Sequence, residues 1–129
     1  MLPIPMNQQS IFSALSYKAE TLWIGTWKNG LHQYNYKTNK IKTYTADDSP
    51  SSSIGSNQIQ SIKFDQQNKL WVGTRKGLYQ FIPEQNEFKV FHLPSPEGDN
   101  SNLNSIISIC PDGPDKLWLA TVGLSLIHI

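Results

Sequence analysis

The sequence predicts an all-β chain made of repeated four-stranded antiparallel sheets, and three observations support this prediction. First, Trp23, Trp71 and Trp118 lie 48 and 47 residues apart, within the related phrases LWIGT, LWVGT and LWLAT. Second, short apolar segments separated by turn residues fill the intervals between them. Third, no window shows the sustained 3.6-residue periodicity of a helix. Four strands in a repeat of this length are typical of the blades of a β-propeller.

The repeat carries further markers around each tryptophan. An isoleucine lies twelve residues before each Trp, a threonine lies three residues after it, and a Gly-Leu pair follows. Because these markers recur in one order at one period, they indicate architecture rather than binding. We therefore assign to the structure of the blade Trp23, Gly25, Thr26, Gly30, Trp71, Gly73, Thr74, Gly77, Trp118 and Thr121.

The second copy shows the four strands most clearly. We place its strands at 59–64, 70–74, 78–82 and 88–93. The first alternates apolar and polar residues, as a half-buried strand does, and a polar turn led by Asp65 follows it. The second strand is continuously apolar, which indicates burial on both faces between neighbouring blades. The small Gly25, Gly73 and Ala120 after each Trp are expected to make room for a bulky group of the adjacent blade.

The number of copies predicts an incomplete propeller. We divide residues 1–129 into one blade at about 11–58, a second at about 59–105 and the start of a third at about 106–129. Closure of a propeller needs at least about four blades. We therefore expect a fragment of a larger propeller. Residues 124–129 lose the polar alternation of their counterparts, so we give His128 no functional weight.

Composition and charge exclude several classes of function. Eleven basic and ten acidic residues give a net charge of +1 without a basic stripe, so we expect this segment to bind no nucleic acid. No apolar run approaches the roughly 18 to 20 residues of a membrane helix, and the first residues do not resemble a secretory signal. The single cysteine, Cys110, excludes an internal disulfide and a cysteine-built zinc site. We expect no metal and no cofactor.

Catalytic patterns are weak, which favours a binding module over an enzyme. His32 and His92 lie in predicted strands without a neighbouring carboxylate pair, and no serine nucleophile elbow is present. Asp65 and Asp112 recur at one position of the repeat, which indicates a turn. Cys110 has no partner residue that would suggest a nucleophile.

Propeller topology groups the turn between the second and third strands with the link between blades, on one rim. That rim should hold the two turns and the links 45–57 and 94–105. Binding residues favour loops held by a rigid frame, so we predict ligand contacts from Trp27, Lys28, Asn29, Arg75 and Lys76. An exposed Trp27 could stack on a sugar face, and Arg75 could hold a uronate or sulfate. Alternatively, Trp27 covers the edge of the neighbouring blade, and Arg75 and Lys76 are solvated turn charges.

The acidic residues of the first link have a simpler interpretation. Asp47 and Asp48 open the polar run DDSPSSS. Such residues form Asx turns more often than cation sites, so we expect turns here.

The phrase LWxGTxxGL, preceded by I-x-S-I and an Asp-led turn, resembles the two-component regulator propeller repeat. The link at 47–57 is similar to the pattern that precedes the next blade in that family, and 95–103 is a looser copy. The resemblance covers about residues 11–123. The sequence departs from the family pattern at Asn68, where a turn glycine is usual, and at Ala120, where the second strand usually has glycine.

The resemblance implies a seven-bladed propeller in the periplasmic, extracytoplasmic sensor region of a membrane-bound histidine kinase. It also implies signal transduction by phosphorelay, an oligosaccharide or other carbohydrate-derived ligand, and kinase segments elsewhere in the parent chain. The expected partners are the remaining blades, a neighbouring sensor domain and a second copy that dimerises through the parent kinase. Two alternatives stay open, a fragment of a lyase-like propeller enzyme and a propeller used for protein interaction, because fold does not decide function.

Overall fold

The computed structural model describes residues 12–46, 54, 56–91, 105–121 and 126–128. Within these residues every element of regular secondary structure is a β-strand. The described residues contain no helix that is long and apolar enough to cross a membrane. The strands are β1 (Phe12–Lys18), β2 (Thr21–Thr26), β3 (Leu31–Asn35), β4 (Lys40–Tyr44), β5 (Ile59–Phe64), β6 (Leu70–Thr74), β7 (Gly77–Ile82), β8 (Glu87–Phe91), β9 (Ile106–Asp112), β10 (Lys116–Thr121) and β11 (Leu126–His128).

The strands form three antiparallel sheets in chain order. Sheet 1 contains β1 to β4, sheet 2 contains β5 to β8, and sheet 3 contains β9 to β11. Every strand pairs with its neighbour in the sequence, which is the arrangement within a propeller blade. The predicted all-β fold of four-stranded antiparallel blades is therefore confirmed. The predicted blade limits stay predictions, because the links at 47–53 and 92–104 lie outside the described residues.

The strand bounds of sheet 2 follow the sequence prediction with two shifts. The first two strands begin and end at the predicted residues. The third begins one residue earlier, because Gly77 pairs with Thr74 across a two-residue turn. The fourth runs from Glu87 to Phe91, because Glu87 still pairs with Ile82 in the sheet. Its last two predicted residues lie outside the described part of the chain.

Aromatic side chains fill the space between sheets 1 and 2. Alternate residues of a strand face opposite sides, so Trp23 and Tyr44 of sheet 1 both face sheet 2. The Trp23 ring lies 6.0 Å from the Tyr44 ring and meets Phe81 of sheet 2 edge-on at 5.1 Å. Phe88 packs edge-on against Tyr44 at 5.2 Å. Burial of these large rings is the main stabilising contribution to the contact between the two sheets.

Sheets 2 and 3 pack through a core in which the repeat markers meet. Its buried members are Trp71, Leu78, Ile106, Ile109, Leu117 and Leu119. A Cβ added at Gly73 would lie 2.7 Å from Cγ2 and 2.9 Å from Cβ of Ile106. The prediction that a small residue after Trp makes room for the next blade is therefore confirmed at Gly73. The isoleucine marker now has a role, since Ile106 fills that space from the adjacent sheet.

The repeated threonine holds the turn between the second and third strands of each blade. The buried Thr26 hydroxyl donates to the Gly30 carbonyl at 2.9 Å and accepts the Asn29 amide at 2.9 Å. In sheet 2, the Thr74 hydroxyl donates to the Gly77 carbonyl at 3.0 Å and accepts a turn amide at 3.0 Å. The Gly30 carbonyl also accepts the Thr26 amide at 3.1 Å, so the hydroxyl adds a second donor there and supplies an acceptor for the turn amide. Thr121 is equally buried, and its Gly-Leu pair lies outside the described residues.

The repeated aspartate binds both its turn and the tryptophan of its blade. Asp65 accepts the amides of Gln67 and Lys69 at 2.8 and 2.9 Å, and its second oxygen accepts the Trp71 indole N–H at 2.8 Å. The geometry agrees with the predicted turn. Partial desolvation raises the pKa of Asp65, but the hydrogen bonds from Trp71, Lys69 and Gln67 outweigh it, so the pKa is lowered overall. Asn68 completes the turn in the left-handed region, with φ of 64°.

Candidate ligand-binding rim

The five residues predicted to contact a ligand lie on two corresponding turns. Trp27, Lys28 and Asn29 connect β2 to β3, and Arg75 and Lys76 connect β6 to β7. Trp27 is 49% exposed, which is a large exposure for an indole. Lys28, Arg75 and Lys76 are also exposed, and Asn29 is half-buried. Each turn is held by its repeated threonine, so these side chains project from a fixed frame.

The link between sheets 1 and 2 ties the two turns together. The Gly30 amide donates to the Asn57 carbonyl at 3.0 Å, and the Arg75 amide donates to the Gln58 carbonyl at 3.2 Å. Two consecutive carbonyls therefore hold turns from two different blades. The structure brings Trp27 to Asn29 and Arg75 to Lys76 onto the same rim, as propeller topology requires.

The described residues of this link are themselves held in place by an apolar side chain and two polar ones. Ile54 is fully buried in the core between sheets 1 and 2. The Asn57 side-chain oxygen accepts the Ala46 amide at 2.7 Å, and the Ser56 hydroxyl accepts the Gln58 amide at 3.1 Å. The burial of Ile54 and the hydrogen bonds of Ser56 and Asn57 thus fix the segment whose carbonyls bind the two turns. Asp47, Asp48 and the second link at 94–104 lie outside the described residues.

The charged side chains of the described rim are all positive. The segments 27–30, 56–58 and 75–77 carry the cations Lys28, Arg75 and Lys76 and no carboxylate. Exposed cations beside an exposed indole suit a ligand that has an apolar face and a negative charge. This arrangement can bind and orient a ligand, but it offers no pair of groups for proton transfer.

Among the described residues, the remaining candidates for chemistry lie in different sheets, His32 in sheet 1 and Cys110 in sheet 3. His32 is only 3% exposed, and its Nδ1 lies 2.9 Å from the Thr43 hydroxyl. Burial lowers the pKa of His32, which favours the neutral ring. Cys110 is exposed, and His92 lies outside the described residues. Within the described residues, no group of three or more His, Cys, Asp or Glu could hold a metal ion.

Two clefts between the sheets were missed by the sequence analysis. The first cleft lies between sheets 1 and 2, has a volume of about 430 Å³ and is lined by Trp23, Gln33 and Gln80. The second cleft lies between sheets 2 and 3, has a volume of about 340 Å³ and is lined by Trp71 and Gln80. The available signal was a glutamine two residues after each of the first two Gly-Leu pairs, within an otherwise buried strand.

Residues 53–76 match the family model described as the two component regulator propeller. The match covers one copy of the repeat, from the link before sheet 2 to its second turn. The match includes Trp71, Gly73 and Thr74, three of the markers by which the sequence resembles this family. The resemblance is therefore confirmed, and the geometry above describes how a regulator propeller repeat is held together.

Three solved structures similar to this chain come from B. thetaiotaomicron. The extracellular domain of the hybrid two component system BT4673 superposes with a TM-score of 0.74 and 25% identity over 85% of this chain. A structure described as the extracellular domain of the one component system BT4673 gives a TM-score of 0.74 and 22% identity over 91%. The extracellular domain of the hybrid two component system BT3049 gives 0.71 and 19% over 92%. At 22% and 19% identity, the last two structures show only that the fold is similar.

The chain spans 14%, 16% and 18% of the lengths of these three chains. It therefore corresponds to a small part of each of those domains. No curated protein matches the sequence. The similarity to extracellular domains of two component systems is consistent with an extracytoplasmic location for this chain.

Proposed function

We propose that the chain is part of the periplasmic, ligand-sensing propeller of a two-component sensor histidine kinase, and that it responds to a carbohydrate-derived ligand. It acts as a binding module, and the catalytic steps of the phosphorelay belong to other parts of the parent protein. Its partners are the remaining blades, the adjoining sensor domain and a second copy of the parent chain.

The observation that carries the proposal is the half-exposed Trp27 indole on a fixed turn beside cationic side chains. Hydrogen bonds fix the frame of this site: Thr26 holds one turn, Thr74 holds the other, and the carbonyls of Asn57 and Gln58 join them. An indole face packs against the C–H face of a sugar ring, while Arg75 forms a bidentate pair with a carboxylate or sulfate. An acidic oligosaccharide fits both features.

Signalling follows if the ligand binds two states of the parent protein with different affinity. A ligand on this rim touches turns of two blades and the link between them. It would therefore favour the state in which those blades and the neighbouring domain are packed for binding. The coupling free energy is the difference between the affinities for the two states.

Calorimetric titration of this chain with tri-galacturonic acid and with maltotriose tests the proposal. We expect the acidic trisaccharide to bind more tightly, and Trp27→Ala to weaken its binding about tenfold through loss of stacking. Tyr36→Ala is the matched control, because Tyr36 is an exposed aromatic residue on the turn between β3 and β4, at the opposite rim. Equal affinity for the wild type and Trp27→Ala would remove Trp27 from the site.

A second variant tests the charge of the rim. Replacing Arg75 and Lys76 together with glutamine should weaken binding of tri-galacturonic acid and reduce its dependence on salt, because fewer cations then face the ligand. Binding of maltotriose should change little. An unchanged salt dependence would show that these cations are only solvated turn charges.

A further inference from the structure

Each sheet has one face that carries its repeated tryptophan, and we call this its trailing face. The trailing face of sheet 1 packs against sheet 2, and that of sheet 2 packs against sheet 3. Trp23 and Trp71 are buried as a result. On sheet 3, Trp118 is exposed and Ile107 is 46% exposed. The trailing face of sheet 3 therefore presents large apolar side chains to its surroundings.

A bulge in the first strand of each blade places one extra residue at this face. In sheet 2, the register between β5 and β6 shifts around Gln60. The Gln60 side chain reaches sheet 3, where Nε2 donates to the Ser105 hydroxyl at 3.0 Å and to the Ile106 carbonyl at 2.9 Å. Ile107 is the corresponding residue of sheet 3, because the register between β9 and β10 shifts around it in the same way. An isoleucine side chain has no donor, so it cannot form this tie to a following strand.

Ala120 is a second difference on the same face. It lies two residues after Trp118, as Gly73 lies two residues after Trp71. A Cβ at Gly73 would lie 2.7 Å from Cγ2, 2.9 Å from Cβ and 3.1 Å from the carbonyl oxygen of Ile106. Ala120 carries such a Cβ, and carbon atoms in contact are about 3.5–4.0 Å apart. A strand that covers sheet 3 therefore cannot lie as close to it as β9 lies to sheet 2.

A third difference removes a charge from the face. Trp71 pairs with Lys63 on the first strand of its blade, whereas Trp118 pairs with Cys110. Lys63 and Cys110 are both exposed. Taken together, Ile107, Cys110 and Ala120 make the trailing face of sheet 3 more apolar and bulkier than that of sheet 2. This face fits a partner that offers apolar side chains and no acceptor for a glutamine.

We propose that the trailing face of sheet 3 docks the next blade of the parent propeller, in a joint that is wider and more apolar than the joint between sheets 2 and 3. The repeat supports a blade as the occupant, because the same face takes the following sheet twice within this chain. An apolar side chain of that blade covers Ile107, and its first strand stands off far enough to admit the Ala120 methyl group. The inference rests on the proposed function only in taking the remaining blades as partners.

Hydrogen–deuterium exchange of the β9 amides tests the proposal in this chain and in the complete sensor domain of the parent protein. In the complete domain, Ile107→Gln should speed exchange at least about tenfold, because it buries a carboxamide without an acceptor. In this chain, where Ile107 is exposed, the same change should alter the rate less than about threefold. Equal effects in the two proteins, or slower exchange in the complete domain, would overturn the proposal.

Ala120→Gly tests the width of the joint. Its effect in this chain measures the cost of placing glycine in a strand. In the complete domain, the acceleration of exchange should be at least about threefold larger, because contacts of the methyl group with the next blade are also lost. An acceleration no larger than in this chain would contradict the proposal. Slower exchange would show that glycine relieves a clash with a closely placed strand, and would reject the wider joint.

Gln60→Ile in this chain is the matched control for the polar tie. It should speed β9 exchange about tenfold, because two hydrogen bonds to sheet 3 are lost. An unchanged rate would remove the contrast between Gln60 and Ile107 and with it the proposal. Sedimentation velocity examines the other occupant, since a dimer of this chain that Ile107→Gln dissolves would assign the face to a second copy. No measurement here involves a ligand, so failure of sugar binding at the Trp27 rim would reject the proposed function alone.

Discussion

Trp71 and Trp118 occupy the same position of the repeat, and each indole N–H donates to the aspartate six residues earlier, at 2.8 and 3.1 Å. Yet Trp71 is 7% exposed and Trp118 is 38% exposed. The face of sheet 2 that carries Trp71 packs against sheet 3. The difference teaches that the aspartate orients the tryptophan within its own blade, whereas burial of the ring comes from the next blade.

Removal of each tryptophan ring should have the largest effect on the free energy of unfolding, and it tests this comparison. Trp71→Ala should lower the free energy of unfolding by about 3–5 kcal/mol, because it empties a packed core position. Trp118→Ala should cost only about 1–2 kcal/mol, since less apolar surface returns to water. Urea denaturation followed by circular dichroism measures both. Equal losses would mean that packing within a blade, and not the next blade, accounts for the stability.

An intermediate effect is expected from filling the space after the tryptophan. Gly73→Ala places a methyl group against Ile106 and should destabilise the chain by about 1–3 kcal/mol through overpacking. Ile106→Ala in the same chain removes one of the two clashing carbons, so the double mutant should show favourable coupling of about 0.5–3 kcal/mol. A strictly additive double mutant would show that the contact between sheets 2 and 3 does not limit this position.

The smallest effect is expected from Asp65, which occupies the same position of the repeat as Asp112. The pKa of Asp65 is lowered in the folded chain, so its stabilising contribution is present above the unfolded pKa, which is 3.8, and is lost as pH falls through the folded value. Asp65→Asn should therefore reduce stability slightly at pH 7 and flatten its decline below about pH 4. Thermal unfolding measured from neutral to acid pH checks this, and an unchanged pH profile would exclude the role.

Much of the blade could be predicted from local signals. The strands of sheet 2 were predicted almost to the residue because alternation, the Asp-led turn and Gly77 are read within a few neighbouring positions. The meeting of the Trp27 and Arg75 turns was predictable from propeller topology. The roles of Thr26 and Thr74 were not, because a threonine in a repeat gives no sign of which backbone groups its hydroxyl will bind.

The side-chain contacts in the clefts could not be predicted from the sequence. Gln33 and Gln80 look alike in the sequence, and so do Tyr44 and Phe91 as large residues of a fourth strand. Only the structure shows that the Tyr44 hydroxyl reaches the Gln33 side chain, and that Phe91, which has no hydroxyl, takes the corresponding place in sheet 2.

By itself, the sequence determined the period of the repeat, the all-β fold, the strands and turns of each blade, and the resemblance to a regulator propeller. These follow from short-range patterns, because strand alternation and turn residues act over two to four positions. The tertiary structure alone decided which tryptophan is buried, which space Ile106 fills and which glutamine accepts a hydrogen bond from a fourth-strand tyrosine. Those features depend on contacts between sheets, and contacts between residues far apart in the chain leave no mark on the local pattern.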